Sequence, residues 1–385
     1  MKRDRALEDD SRENRVTKVD RRKLLKGTAA GGIATAAAGG LAAPALAQTM
    51  PELKWRCTSS FPKSLDTLFG SLEFFCKRVS DLTDGKFQIT PFASNEIVPG
   101  LQAQDAVSNG TVEMCQTASY YYWGKDPTFT FGTALPFGMN PRGVHAWWYQ
   151  GGGDALMNEF FKKYNMYGLM FGNTGTQMGG FFRNELKDVE ALKGVKMRIG
   201  GFAGSIVSRL GMIPQQLAAG EIYQALEKGT IDAAEWVGPY DDEKLGFVKV
   251  AKFYHYPGWW EPNSTTNFIA SVEKYNALPK NYQQALQTAC METTMSVMAK
   301  YDAVNAAALK RLASQGATLT PFSPEIMDAC YKASHELYAE INAKNPKFKK
   351  LYDSYTTFMA DGYLWHQIAD YTMDSYMIRY RNQQK

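Results

Sequence analysis

The stretch Gln224-Ala-Leu-Glu-Lys-Gly-Thr-Ile-Asp-Ala-Ala-Glu-Trp-Val-Gly-Pro-Tyr-Asp-Asp-Glu243 decides the fold. It reads as the end of a helix, a stop at Gly229, a short strand near residues 230–234 and then a loop. The strand delivers Glu235 and Trp236 at its carboxyl end, and open α/β sheets bind ligands in the crevice beyond such ends. An echo lies upstream. Asp105-Ala-Val-Ser-Asn-Gly-Thr-Val-Glu-Met114 aligns with residues 224–233 as helix, glycine stop, threonine, apolar residue and acid. The first copy runs on into Gln116-Thr117 and the aromatic run Tyr120-Tyr-Tyr-Trp123. Two similar units, each ending in polar and aromatic groups, are accommodated most simply by two lobes facing one cleft.

Outward from these units, strands and helices alternate. Leu53–Cys57 alternates apolar and polar residues, the period of a half-buried strand. Leu68, Leu72, Phe75, Val79 and Leu82 fall on one face of a helix spanning 68–82. Asp84-Gly85 is a turn and Phe87–Phe92 the next strand, giving a strand–helix–strand opening. A helix is expected over 101–109, and broken helices over 143–164 around Gly151-Gly-Gly153. Tyr167–Phe171 reads as an apolar strand leading to Gln177. Gly194–Gly201 places Val195, Met197 and Ile199 on one strand face and Arg198 on the other. Residues 279–314 and 325–342 read as helices, the second capped by Ser323 with Pro324 in its first turn. Apolar residues recur to the C-terminus, so the tail is expected to dock on the body or on a second subunit.

The N-terminus reads as a leader. Asp20-Arg-Arg-Lys-Leu-Leu-Lys26 has the twin-arginine pattern, a weakly apolar Gly/Ala run follows, and Ala45-Leu-Ala47 is a small-residue cleavage site. The expectation is a cleaved signal peptide over 1–47 and a periplasmic mature chain. The leader holds ten Lys/Arg and six Asp/Glu, which leaves 33 of each from totals of 43 and 39. The remaining chain is therefore neutral and has no clustered basic footprint for nucleic acid. Five cysteines, an odd number, leave at least one thiol without an internal partner. No Gly-x-Ser-x-Gly, His-Glu-x-x-His or Gly-rich phosphate loop is present, and the four histidines are scattered.

The chain resembles the DctP-type solute-binding proteins of TRAP (tripartite ATP-independent periplasmic) transporters. Leu192-Lys-Gly-Val-Lys-Met-Arg198, Glu221-Ile-Tyr-Gln-Ala-Leu226, Gly229-Thr-Ile-Asp232 and Glu235 carry the general likeness. Gly172-Asn-Thr-Gly-Thr-Gln-Met-Gly-Gly180, Glu235–Gly246 and Pro257-Gly-Trp-Trp-Glu261 resemble the branch that binds α-keto and 2-hydroxy acids. Trp236 stands where most of the family has asparagine, in keeping with that branch.

The resemblance implies a periplasmic-binding-protein-like α/β fold: two α/β lobes around a cleft, long connecting and C-terminal helices, and closure by hinge motion. Residues 50–165 would form mainly lobe 1, 166–270 mainly lobe 2, 271–350 helical segments returning to lobe 1, and 351–385 the C-terminal helices. Arg198 would take the substrate carboxylate in a bidentate pair. Gln177 would contact ligand and cation; Glu235, the Trp236 carbonyl and Glu261 would complete the cation shell; Tyr120 and Tyr121 would be walls. Two glutamates, one guanidinium and a monocarboxylate leave two negative charges, so Na⁺ or Ca²⁺ suits an all-oxygen site. The implied role is capture of a small α-keto monocarboxylate, or a 2-hydroxy acid such as lactate, for membrane permease subunits. It is not an enzyme on this reading; a metal-assisted periplasmic enzyme is the alternative. A homodimer through the C-terminal helices is also open. Ligand length would depend on where Phe171, Trp259 and Trp260 lie.

Overall fold

A computed structural model describes residues 50–383. The leader and its twin-arginine signal lie outside the described residues. The chain opens with β1 (Leu53–Ser59), α1 (Leu68–Leu82), β2 (Phe87–Phe92), α2 (Ala103–Ser108) and β3 (Met114–Thr117). α3 (Pro141–Gln150) and α4 (Gly153–Phe161) lead to β4 (Met166–Asn173). Then come β5 (Gly180–Phe182), β6 (Lys196–Arg198), α5 (Gly201–Arg209), β7 (Ile213–Gln215), α6 (Ala219–Glu227), β8 (Ala233–Ala234), α7 (Pro239–Leu245) and β9 (Phe253–Tyr256). β10 (Thr265–Ser271), α8 (Val272–Asn276), α9 (Lys280–Ser314), β11 (Thr318–Pro321), α10 (Pro324–Lys344), α11 (Pro346–Ile368) and α12 (Asp370–Gln383) complete it.

The strands form two sheets. One is ordered β2-β1-β3-β10-β4 and the other β11-β9-β5-β8-β6-β7. The two echo strands, β3 and β8, are interior strands of different sheets. Each pairs in parallel with a neighbour, β3 with β1 and β8 with β6. The echo also holds at the level of single hydrogen bonds. Glu113 accepts from the backbone N–H of Arg56 in β1 at 2.8 Å, and Asp232 from that of Lys196 in β6 at 3.0 Å. The matching acid of each copy thus caps a gap in the ladder of its neighbouring strand, where an unpaired N–H would be costly.

β4 and β10, at the two ends of the 166–270 stretch, lie in the first sheet, and β11, inside 271–350, lies in the second. β10 enters antiparallel between β3 and β4, so the chain re-enters the first lobe before residue 270. The lobes are consequently joined by two crossing connectors, 174–179 and 257–264, and by α9.

α9 is a 35-residue helix, roughly 52 Å long at 1.5 Å per residue. Tyr282, Leu286 and Cys290 from its first half pack into the core of the first sheet with Phe75, Phe87 and Phe268. Val297, Tyr301 and Leu312 from its second half pack with Ile222, Phe247 and Tyr254 against the second. α1 has the bounds its periodicity predicts; Leu68, Leu72, Phe75 and Val79 are buried, but Leu82 at the helix end is 42% exposed. All five cysteines are buried free thiols. α11 enters the core through Phe348, Leu351 and Tyr355, beyond which α11 and α12 expose Leu364, Trp365, Ile368, Tyr371 and Ile378. Among the described residues no helix is long and apolar enough to cross a membrane.

Candidate functional site

Arg198 and Glu235 end the adjacent strands β6 and β8, and both are fully buried. Arg198 and Glu235, expected to hold the ligand carboxylate and the cation, also meet each other in a direct ion pair. Arg198 Nη1 donates to Glu235 Oε1, and also to the Glu235 carbonyl at 2.8 Å. Nε donates to the Leu217 carbonyl at 3.1 Å, and the Gly200 N–H donates to Glu235 Oε1 at 2.9 Å. The guanidinium lies over the Trp236 ring, 4.8 Å from its centroid, a favourable cation–π placement.

These bonds leave specific atoms over. Arg198 Nη2, Glu235 Oε2, Glu261 Oε2 and Gln177 Oε1 are buried and have no partner. Native interiors seldom strand polar atoms in this way, and these four, with the Trp236 indole N–H that is likewise unpartnered, call for a bound group. Three of the four are oxygens and one is a cationic N–H. The oxygens suit a hard cation, and the N–H suits an anion.

Gln177 and Glu261 arrive on the two crossing connectors. Gln177 Nε2 is fixed by Thr174 Oγ1 at 3.0 Å, which turns Oε1 away free. The connectors are stitched together: the Gln177 N–H donates to the Glu261 carbonyl at 3.1 Å and the Gly258 N–H to the Gln177 carbonyl at 3.0 Å. A Cβ on Gly258 would lie 2.6 Å from the Met178 carbonyl, so only glycine allows this approach. Burial, and then the charge of Glu235, push the Glu261 carboxyl well above the usual range, while the hydroxyls of Ser264 and Tyr120 beside it work the other way. Burial also works against the charge on Glu235, with Arg198 and the Gly200 N–H offsetting it.

Tyr120 and Tyr121 come from the first lobe, immediately after β3, with rings stacked 4.9 Å apart. Tyr120 lies so close to the start of α5 that a Cβ on Gly201 would meet its ring at 2.3 Å. Gly201 has φ +58, doubly restricting the position to glycine. The Tyr121 hydroxyl is near Arg198; burial raises it to about 12 against the lowering effect of that guanidinium.

A small cavity lies between the lobes, lined by Phe61, Leu68, Tyr120, Tyr121, Gln177 and Trp236 among others. Of the residues expected at the site, Tyr120, Tyr121, Gln177 and Trp236 line it; Arg198, Glu235 and Glu261 are not among its lining residues, Arg198 lying over the Trp236 ring and Glu235 being paired to Arg198. The expectation for Phe171, Trp259 and Trp260 is corrected: none lines the cavity. Phe171 packs on Phe75 at 5.0 Å in the first-lobe core, Trp259 stacks on Phe137 at 5.1 Å, and Trp260 faces Phe322 at 5.9 Å. Phe61 and Leu68 form the apolar wall instead. Their place ahead of and at the start of α1, beyond the end of β1, was the available signal, since β1 is another strand of the parallel set.

Comparisons with known proteins fit this geometry. The family model described as bacterial extracellular solute-binding protein, family 7 (DctP), matches residues 58–345. A monocarboxylate 2-oxoacid-binding periplasmic protein of Nostoc sp. is 47% identical over 327 residues, 85% of this chain and 90% of that protein. A solved TRAP transporter solute-binding protein of Bordetella bronchiseptica is 47% identical with a TM-score of 0.86, covering 87% of this chain and 100% of its own. It is a mixed-occupancy dimer with copurified calcium and picolinate in the active site, the other site being apo. A relative from Pseudoalteromonas atlantica, 36% identical with a TM-score of 0.82 over 84% of this chain and 99% of its own, holds sodium and pyruvate. One from Colwellia psychrerythraea, 33% identical with a TM-score of 0.82 and the same coverage, holds calcium and pyruvate. The chain belongs to family 7 of the bacterial extracellular solute-binding proteins, the DctP-type receptors of TRAP transporters.

Proposed function

We propose that this receptor captures a small 2-oxo monocarboxylate together with Na⁺ or Ca²⁺ in the periplasm and hands it to TRAP membrane subunits. The observation that carries the reading is a set of buried, unpartnered atoms: oxygens of Gln177, which lines the cavity, and of Glu235 and Glu261, and one N–H of Arg198, whose guanidinium lies over the cavity-lining Trp236. Arg198 Nη2 takes a carboxylate oxygen, with Nη1 shared between the ligand and Glu235. The three oxygens and the Trp236 carbonyl hold the cation. Tyr120, Tyr121 and Trp236 wall the ligand. A bound cation would offset the charges of Glu235, Glu261 and the ligand, which together would otherwise cost several kcal/mol per ion.

The ligands named in the solved relatives support the class. Pyruvate and picolinate share a carboxylate with a donor atom on the neighbouring carbon or ring nitrogen. That pair can chelate one cation while presenting its outer carboxylate edge to a guanidinium. Calorimetry with pyruvate, 2-oxobutyrate, 2-oxovalerate and lactate, in Na⁺ and Ca²⁺ together, tests the reading. Binding of the 2-oxo acids with a change in Trp236 fluorescence is expected. Silence toward all four refutes it, and preference for lactate moves the assignment to 2-hydroxy acids.

The exposed apolar side chains of α11 and α12 support a homodimer through these helices. Trp365, Ile368, Tyr371 and Ile378 are each more than half exposed, a larger contiguous run than monomers usually leave in water. Size-exclusion chromatography of the mature chain should give a dimer, reduced to monomer by Ile378→Asp together with Tyr371→Asp.

A further inference from the structure

Directly after the site strand, α7 begins with two adjacent aspartates, Asp241 and Asp242. Both are buried, at 0% and 1% exposure. Neither faces a guanidinium or ammonium group. Asp242 accepts from the Tyr254 hydroxyl at 2.6 Å and from the Val237 N–H at 3.2 Å. Asp241 accepts from the Tyr301 hydroxyl on α9 at 2.6 Å and from Thr67 Oγ1 at 2.6 Å. Burying two neighbouring carboxyls on three hydroxyls and one backbone N–H is an expensive arrangement, so what it holds in place matters.

Asp242 holds the backbone of Val237, the residue after Trp236, and so fixes the exit of the strand that carries the Trp236 carbonyl. Asp241 reaches the other lobe. Thr67 stands at the N-cap of α1, the helix packed on the first sheet, yet its side chain makes no cap hydrogen bond to its own helix. A threonine there normally accepts a hydrogen bond from the first turn of its own helix. Here the hydroxyl is turned outward and donates across the cleft. Its neighbour Asp66 does the same, pairing with Lys244 of α7 and with Lys300 of α9 at 2.9 Å, and accepting from the Tyr240 hydroxyl at 3.1 Å. Leu68, one residue further on, lines the ligand cavity. The chain therefore ties the lip of the first lobe to the helix that follows the site strand of the second.

We propose that Thr67 and Asp241 are positioning residues: their hydrogen bond is made when the lobes close and raises affinity by favouring the closed arrangement, while touching neither ligand nor cation. This rests on the proposed binding of a 2-oxo acid between lobes that open to admit it. A receptor whose binding-competent form is only partly populated binds with affinity reduced by that fraction. Removing the donor lowers the closed population and leaves the site's own groups untouched.

The test uses the mature chain, with pyruvate and Ca²⁺ as probes, and compares wild type, Thr67→Val and Thr67→Ser. Thr67→Val keeps the shape of the side chain and removes only the hydroxyl. It should raise the Kd by ~10-fold, mainly through faster release seen by Trp236 fluorescence in stopped flow, as expected for a hydrogen bond to a charged group. Thr67→Ser should restore most of the affinity. The melting temperature of the ligand-free protein should be unchanged, because the open form lacks the bond; a purely structural bond would lower it. Thr67→Val with wild-type affinity, or with a lowered ligand-free melting temperature or failure to fold, overturns the proposal and leaves the 2-oxo-acid reading standing. Wild type that binds none of the 2-oxo acids overturns both.

Discussion

At the end of β3 the chain sets Gln116; at the end of β8 it sets Glu235. Both side chains are fully buried, both follow the same helix–glycine–strand pattern, and both strands are interior to their sheets. Their surroundings differ. Gln116 accepts from Ser59 Oγ at 2.8 Å and donates to the Leu68 carbonyl at 2.8 Å and to Ser71 Oγ at 3.1 Å, so its polar atoms are used internally. Glu235 satisfies one carboxylate oxygen with Arg198 and Gly200 and leaves the other without a partner. One supersecondary unit thus serves as scaffold in the first lobe and as a binding element in the second. An internal repeat locates the two strand ends, but the residual hydrogen-bonding capacity tells which of them meets a ligand.

The largest effect should come from Arg198→Ala. It removes one partner of a buried ion pair and strands Glu235, a loss of roughly 3–5 kcal/mol. Pyruvate binding should disappear from calorimetry, and normal binding would remove Arg198 from the site. Gln116→Leu should do the opposite. It leaves Ser59 and Ser71 without their amide partner, at about 1–3 kcal/mol, so the melting temperature should drop by several degrees while the Kd for pyruvate stays put. A changed Kd with unchanged melting would mean that the first-lobe strand end is also a ligand element.

The smallest effect is a pH dependence carried by the first echo acid, Glu113. Burial alone would raise the Glu113 carboxyl; hydrogen bonds from the Arg56 side chain and backbone outweigh it and hold the group below 4.5. A depressed carboxyl contributes stability above its unfolded value and loses it as pH falls through the folded one. Stability should therefore decline from about pH 4.5 downward, and Glu113→Gln should make that decline shallower in urea melts. An identical slope in wild type and variant would show that the Arg56 contact adds nothing in solution.

Much of this was legible in the chain itself. The apolar spacing of α1 gave its bounds, and the alternation around Arg198 put that residue on the face opposite Met197. The glycine-stop pattern found both echo strands, and the likeness to TRAP receptors pointed to Gln177, which lines the cavity, and to Glu261, whose backbone is hydrogen-bonded to that of Gln177. Sheet membership was harder. β4 and β10 follow residues of the second lobe, or precede them, with no local mark of where they pair, because strand pairing is set by partners far away in sequence. The cavity wall was missed for a related reason. Phe171, Trp259 and Trp260 are large aromatics near the site residues in sequence, but Phe171 packs in the first-sheet core from β4, and Trp259 and Trp260 sit in the connector between β9 and β10, where no strand period sets their direction. They turn into the cores while Phe61 and Leu68, more than a hundred residues away, face the cleft. The direct contact of Arg198 with Glu235 follows from the parallel register of β6 and β8, in which Arg198 lies opposite Ala234. Spacing within either strand says nothing about it.

The five sealed cysteines have a consequence for the protein's life outside the cytoplasm. Burial pushes the thiols of Cys76 and Cys115 far up, that of Cys330 up to about 12, and those of Cys57 and Cys290 higher than ordinary thiols. The reactive species is the thiolate, and here it is suppressed at every position. A receptor built this way has no disulfide for a reducing agent to break, and peroxide meets no exposed cysteine until the molecule comes apart, although it can still reach the exposed methionines.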